Sequence, residues 1–262
     1  MKRSARNREI LAVLREREEL AVEEACSLFG ISPATVRRDF VALVESGKAE
    51  KTWGGLRALG SQSAPMLPSD MRKGLFAGEK RRIAARAAAF CRDGDIVFID
   101  GGTTTLQLAR WLANRPLRIV TNSLLVADEI DRLRTEPGGA EVFLTGGYLY
   151  PLSGLLVGPE TTASLKKYKA TLAFLSVGGI GEEGASNNHH LVVEVERTML
   201  GRAERAILLA DHSKFGRREL VPECSWEEVD AIVTDSPPGA EYGTRIGERL
   251  VVAGLAGAQG KD

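Results

Sequence analysis

The chain has 262 residues, room for one small and one larger domain, and its 44% hydrophobic and 27% charged content is that of an ordinary globular protein with a real core. Its formal net charge is +0, and the first sixty residues carry an excess of only about +2, so contact with a polyanion must rest on local placement of arginines and on paired copies acting together. Cys26, Cys91 and Cys224 have no paired spacing, which points to neither a zinc site nor a disulfide framework and suggests buried thiols in a reducing compartment. With no signal-like start and no apolar run able to span a bilayer, the expectation is a cytoplasmic protein without membrane contact.

Ile10, Leu11, Val13 and Leu14 form the apolar stripe of a first helix, and Val22, Ala25, Leu28 and Phe29 that of a second. Gly30 is placed to end the second helix in a left-handed conformation. A tight turn leads into a third helix, in which Ser32 can cap the first N–H groups and Pro33 suits the first position. The unit reads as helix-turn-helix. Val36, Phe40, Leu43 and Val44 fall on the inward face, leaving Ala34, Thr35, Arg37, Arg38 and Val41 outward.

Small residues at a helix start can enter the major groove, and arginine can bond guanine edges or clamp phosphate. Asp39 is expected to serve structure through a local pair with Arg or Lys, because a carboxylate facing DNA would be repelled. Residues 48–55 look like a short two-stranded wing, from which Lys48, Lys51 and Arg57 can meet phosphates beside the groove. The DNA-binding set is therefore Ser32, Ala34, Thr35, Arg37, Arg38, Lys48 and Lys51.

Residues 60–69, rich in small residues and proline, read as part of a linker. We divide the chain into a winged helix-turn-helix domain at 1–57, a linker at 58–75 and an α/β domain at 76–262. The larger domain alternates apolar runs with helical patterns, the signature of a mostly parallel sheet wrapped by helices. Buried strands are expected at 96–99, 117–120, 142–144, 172–175, 206–209 and 231–233, with helices at 106–112 and 124–133.

Several strands end in small or polar residues, where open α/β sheets place their ligand crevice. At the first, Asp100-Gly101-Gly102-Thr103-Thr104-Thr105, glycines can let the backbone approach an anion, while hydroxyls and the N–H groups of Thr104 to Leu106 surround phosphate oxygens. Capping alone is the competing role for this turn, and the same choice stands for Asp100, which can bond ligand hydroxyls or hold the turn. The loop is neither a dinucleotide fingerprint nor a P-loop, which disfavours a nucleotide or redox sensor. Lys214 is a candidate counter-charge. His189 and His190 are expected at the surface, with ligand contact as the alternative, and the Glu194, Glu196, Arg197 run as a solvated helix face from which Glu194 could reach the pocket.

The Ser32, Thr35, Arg37, Arg38, Asp39 helix and the wing ending in Gly54-Gly55 resemble the DeoR family of bacterial transcription regulators. The resemblance extends over nearly the whole chain, through Asp100, Gly102, Thr103 and Thr104, the Thr121-Asn122-Ser123 turn, Gly146-Gly147, and Ser213-Lys214-Phe215-Gly216. It implies a sensor domain similar to ribose-5-phosphate isomerase and a regulator, in all expectation a repressor of a carbohydrate operon, with operator DNA and a phosphorylated sugar as partners and a homodimer or homotetramer as the assembly. The implied effector-binding set is Asp100, Gly102, Thr103, Thr104, Thr105, Thr121, Asn122, Gly146, Gly147 and Lys214, with no cofactor, metal or catalytic residue.

This chain departs from the family where many members carry glycine-x-threonine, then glutamate-alanine and a lysine. It has Gly184-Ala185-Ser186-Asn187-Asn188-His189-His190, then Glu194-Val195-Glu196-Arg197. An isomerase-like enzyme fused to a DNA-binding head is the alternative. Turnover needs a carboxylate base beside the reacting carbon, yet residues 176–180 carry none where carboxylates are expected. Binding without turnover is the expectation.

Overall fold

The computed structural model describes residues 3–17, 19–46, 48–52, 55–58 and 73–254. The chain divides into two compact units, Met1–Leu67 and Pro68–Asp262. The linker stretch 59–72 and the wing residues Trp53 and Gly54 lie outside the described residues.

In the first unit, helices α1 (Arg3–Arg17), α2 (Val22–Phe29) and α3 (Pro33–Glu45) are joined by strands β1 (Glu19–Ala21), β2 (Ala49–Thr52) and β3 (Gly55–Ala58). Ile10, Val13, Leu14, Leu20, Ala25, Val36, Phe40, Leu43 and Leu56 are buried and form the core. Gly30 has φ 62° and its N–H closes α2 on the Cys26 carbonyl at 3.0 Å, the left-handed stop expected of it. The second stripe needs one correction: Leu28 is 40% exposed, since the eight-residue helix turns it away from the core.

The wing is a three-stranded antiparallel sheet in the order β1-β3-β2, not two strands. β1 joins it because Gly55 has no side chain: a Cβ there would stand 2.4 Å from the Leu20 carbonyl oxygen.

The second unit is built on a seven-stranded parallel sheet. Its strands are β4 (Ile96–Ile99), β5 (Arg118–Thr121), β6 (Glu141–Leu144), β9 (Ala170–Ser176), β12 (Ala203–Leu209), β14 (Ala231–Thr234) and β15 (Leu250–Val252), in the order β15-β14-β12-β9-β4-β5-β6. Helices α4 (Ala77–Ala88), α5 (Ala109–Leu112) and α6 (Leu124–Leu133) pack on one face, where Ile83, Leu112, Val126 and Ile130 meet Val97, Ile99, Ile119, Phe174, Ile207 and Val233. The alternate residues Phe98, Val120, Ala173, Leu175, Leu208 and Ile232 are buried as well. That is why the central strands read as unbroken apolar runs and not as alternating ones.

Strands β4, β9, β12 and β14 contain the runs expected at 96–99, 172–175, 206–209 and 231–233, and β5 lies one residue beyond its expected span. Two expectations change. Residues 106–112 form a 3-10 turn, Thr105–Leu108, followed by the single turn of α5. Residues 142–144 lie on edge strand β6, with Phe143 37% and Leu144 43% exposed.

Around the sheet stand a hairpin of β7 (Tyr148–Tyr150) and β8 (Leu155–Val157), helices α7 (Pro159–Leu165), α8 (His190–Arg202) and α9 (Ala240–Ile246), and a small antiparallel sheet of β10 (Gly179–Ile180), β11 (Gly184–Asn187) and β13 (Val221–Ser225). Cys91 and Cys224 are buried as expected, whereas Cys26 is half-buried. Burial pushes the Cys91 thiol up to about 12 and the Cys224 thiol higher still, which makes both poor nucleophiles. Among the described residues no helix is long and apolar enough to cross a membrane.

Candidate functional sites

Helix α3 starts where Ser32 Oγ accepts the Thr35 N–H at 3.4 Å, with Thr35 Oγ1 3.0 Å away and Pro33 in the first turn. Its inward residues are Val36, Asp39, Phe40 and Leu43, while Ala34, Arg37, Arg38 and Val41 are exposed and Thr35 is half-buried. Asp39 does serve structure, but not through a local pair. It is 1% exposed, and its carboxylate accepts from Arg3 Nε at 3.2 Å and Arg6 Nε at 2.5 Å, both on α1.

Arg3 also donates from Nη2 to the Arg38 carbonyl at 3.2 Å. It thereby joins Arg37, Arg38, Val41, Ala42 and Glu45 around an open groove of about 420 Å³, a face with three cations and one anion. Reading α1 as a packing stripe alone missed Arg3. Lys48 is exposed just beyond α3, and the side chains of Lys51 and Arg57 lie outside the described residues.

In the larger unit the crevice lies where the sheet changes direction. From β4 the chain proceeds outward to β5 and β6, then returns so that β9 pairs with the other side of β4. Such a switch point opens a cleft at the carboxyl ends of the strands. Asp100, 2% exposed, staples it. Its Oδ1 accepts from Gly102 N at 3.1 Å and Thr105 Oγ1 at 2.6 Å, and its Oδ2 accepts from Ser176 N at 2.8 Å and Ser176 Oγ at 2.6 Å at the end of β9. Both oxygens are engaged, which favours the turn-holding role.

The glycines answer packing. A Cβ at Gly101 would fall 1.7 Å from Leu155 Cδ2, one at Gly102 2.0 Å from Ser176 Oγ, and one at Gly147 2.0 Å from Thr161 Oγ1. Thr161 Oγ1 also donates to the Gly146 carbonyl at 2.7 Å, tying that turn to α7. The expected anion donors are accordingly reduced: Thr105 is fully buried with its hydroxyl on Asp100, and the Leu106 N–H closes on the Gly102 carbonyl at 3.0 Å.

The ends of β4, β5 and β6 bring Thr103, Thr104, Thr121, Asn122, Thr145, Gly146 and Gly147 side by side, with Lys214 following β12 beyond β9. Thr121 Oγ1 accepts the Ser123 N–H at 3.1 Å, and Asn122 Nδ2 donates to the Leu156 carbonyl at 2.9 Å. Asn122 Oδ1, Thr145 Oγ1 and Asp211 Oδ2 are buried without a hydrogen-bond partner among the described residues. Buried acceptors and hydroxyls of this kind are what a polar ligand satisfies. Lys214 is half-buried.

The sequence reading missed a cation nearer the loop. Lys80 on α4 is 3% exposed, and its Nζ donates to Thr103 Oγ1 at 3.0 Å. It also misplaced Glu196, which is 2% exposed and not on a solvated face, while Glu194 and Arg197 beside it are exposed. Asn187 Nδ2 donates to both Glu196 oxygens at 2.9 and 3.1 Å. Burial first, then the neighbouring carboxylates, holds Glu196 and Glu223 well above the usual carboxylate range.

His190 is exposed, but His189 is half-buried: its Nδ1 accepts the Leu191 N–H at 3.3 Å to cap α8, and its ring lies 4.7 Å from that of Tyr150. Desolvation and the neighbouring His190 lower its pKa.

A winged-helix unit with an arginine face and an α/β unit with a polar switch-point crevice define a two-part architecture, one part suited to a polyanion and the other to a small polar ligand. The model of the DeoR-like helix-turn-helix domain matches residues 6–62, and that of the DeoR C terminal sensor domain matches residues 76–236. The chain belongs to the DeoR family of transcription regulators.

It is 32% identical to the HTH-type transcriptional regulator IolR of Bacillus subtilis over 90% of this chain and 93% of that protein. It is 33% identical to the glycerol-3-phosphate regulon repressor of Escherichia coli over 91% of this chain and 93% of that one. Among solved structures, ribose 5-phosphate isomerase A of Methanocaldococcus jannaschii is similar at a TM-score of 0.37 and 15% identity, over 52% of this chain and 53% of that one.

Proposed function

We propose that this protein is a DNA-binding repressor of a carbohydrate operon whose larger unit binds a phosphorylated sugar or a similar anionic metabolite. The observation that carries the DNA part is the exposed Arg37 and Arg38 pair on a capped helix, with Arg3 drawn alongside through Asp39. Ser32, Ala34 and Thr35 occupy the helix start, where base edges are read, and Lys48 and Lys51 meet flanking phosphates.

The effector's phosphate lies against Gly102, Thr103 and Thr104, in the turn that Thr105 closes on Asp100, with Lys214 and Lys80 as counter-charges. Its hydroxyls lie toward Thr121, Asn122, Gly146 and Gly147, around the turn that Asp100 holds. Relatives named as a transcriptional regulator and as a glycerol-3-phosphate regulon repressor support this reading. We read the crevice as a receptor and not as an isomerase because residues 176–180 carry no carboxylate and Asp100 spends both oxygens on Gly102, Thr105 and Ser176.

Copies pair through the open edge of the sheet, where β6 exposes Phe143 and Leu144 and the following hairpin exposes Tyr148 and Leu149. An exposed apolar strand edge is a natural place for association. Ligand binding then shifts the spacing of the two DNA-binding units.

The deciding experiment is fluorescence anisotropy with DNA from upstream of the protein's own operon, across a salt series, for the wild type and for Arg37→Ala/Arg38→Ala. A base-reading arginine is worth about 1–3 kcal/mol of affinity, and a phosphate-contacting one weakens all sequences alike and flattens the salt slope. Unchanged affinity in a folded double variant refutes the assignment.

A further inference from the structure

Strand β13 carries an extra residue opposite β11: Cys224 pairs with Ala185 and Pro222 with Ser186, leaving Glu223 in the bulge. A bulge re-aims the side chain it contains. Glu223 is 1% exposed, and neither of its carboxylate oxygens has a hydrogen-bond partner among the described residues. The nearby Arg197 gives its Nη1 to the Glu223 backbone carbonyl at 3.1 Å and not to the carboxylate. Asn187, paired with Val221 two residues before Glu223, donates to Glu196, and Gly178, two residues after the Ser176 that holds Asp100, donates to the Ser186 carbonyl, so β11 links the three carboxyl groups.

Three carboxyl groups therefore gather at one end of the sheet. Asp100 is saturated by neutral donors, Glu196 has one amide on its two oxygens, and Glu223 has none. A buried acceptor without a donor costs about 1–3 kcal/mol, and more when it is charged, so a ligand that brings donors to this recess gains from them. Among the described residues no group of His, Cys, Asp and Glu is disposed to hold a metal ion. What complements two under-satisfied carboxyl groups is a compact group with several N–H donors and one positive charge, whose entry lets one of the two release its proton to solvent and ionise. Water or a sugar hydroxyl brings donors but no charge.

We infer that Glu196 and Glu223 form a second subsite of the crevice that receives a primary ammonium group, so that the effector is a phosphorylated amino sugar or a close analogue. This rests on the reading of the crevice as a receptor for phosphorylated metabolites, and it sets the ammonium at the acidic end and the phosphate beside Thr103, Lys80 and Lys214.

The test is isothermal titration of the full chain with the 6-phosphates of glucosamine, galactosamine and mannosamine, each beside its hydroxyl counterpart, together with N-acetylglucosamine 6-phosphate and inorganic phosphate. At least one amine should bind about tenfold or more tightly than its hydroxyl and N-acetyl counterparts, the size of one charge-assisted contact. Glu223→Gln, which keeps shape and cannot ionise, should reduce that preference to less than about threefold while leaving hydroxyl-sugar binding near the wild-type value. Glu196→Gln should act in the same direction, and circular dichroism checks that both variants fold.

Equal binding of amine and hydroxyl partners, or an equal loss of both in Glu223→Gln, overturns the ammonium subsite and leaves the receptor reading standing. Failure of every phosphorylated compound and of phosphate itself counts against the receptor reading and takes this inference with it.

Discussion

Each unit is organised around a buried aspartate, and the two aspartates do opposite things to the charge around them. Asp39 accepts from two arginines of α1, so its negative charge is neutralised and the surface beyond it keeps Arg3, Arg37 and Arg38 as a cationic face. Asp100 accepts from two backbone N–H groups and two hydroxyls, which spread its charge without cancelling it. Its field then falls on Glu196 and Glu223, adding to the burial that holds their carboxyls up. The choice of donor thus decides whether a buried carboxylate builds a polyanion-binding face or an acidic recess.

The largest effect is expected from removing the Asp100 carboxylate. Asp100→Ala leaves buried N–H and O–H donors without an acceptor at the junction of β4 and β9. At about 1–3 kcal/mol for each such group the sensor unit loses more than about 4 kcal/mol. Urea unfolding followed by circular dichroism measures it, and a loss below about 1 kcal/mol shows that the staple is dispensable.

Next is Lys214→Ala, which removes a proposed counter-charge without touching the DNA face. Loss of a charge-assisted hydrogen bond costs about 1.5–3 kcal/mol, hence about 10- to 150-fold in effector affinity. Ligand-free operator binding should be unchanged. Normal effector affinity in this variant would move the phosphate toward Lys80.

Asp39→Asn sharpens the other half of the comparison. Arg3 and Arg6 lose a charged acceptor, Arg3 is free to leave the groove, and operator affinity should fall about three- to tenfold, equivalent to about 1 kcal/mol. The thermal midpoint of the helix-turn-helix unit should fall with it. A variant with full affinity would show that Arg37 and Arg38 need no help from α1.

The smallest effect is a pH dependence. Because Glu196 and Glu223 titrate well above their ordinary 4.5 when folded, the folded chain holds protons that the unfolded chain has released. Stability from these groups is full below pH 4.5 and is lost as pH rises through the folded values. Glu223→Gln should flatten that slope and raise the ligand-free melting temperature at neutral pH, with scanning calorimetry at pH 5 and pH 8 as the measurement. A steeper slope in the variant would contradict the shared recess.

Lys80 and Glu196 show how near the sequence came to both buried charges. Ile83, Ala84 and Ala87 stand three, four and seven residues after Lys80, and Val192 and Val193 stand four and three residues before Glu196 with Met199 three after it, so periodicity assigns both residues to inward faces. The Glu194, Glu196, Arg197 run reads as a solvated face because its charges outweigh that periodicity, and Lys80 stands outside any motif. Glu223 offered no such signal, because a bulge depends on how two distant strands register.

The sequence by itself determined the capped α3 with its outward arginines, the glycine stop of α2, the central strands of the parallel sheet and the polar residues at their ends. All of these follow from local spacing and turn chemistry within a few residues. Only the tertiary structure decided that Arg3 joins the DNA face through Asp39, that the glycines of the Asp100 loop make room for Leu155 and Ser176, and that three carboxyl groups meet at one switch point. Those depend on contacts between residues 27 to more than 100 positions apart, where strand order and packing determine which side chains meet.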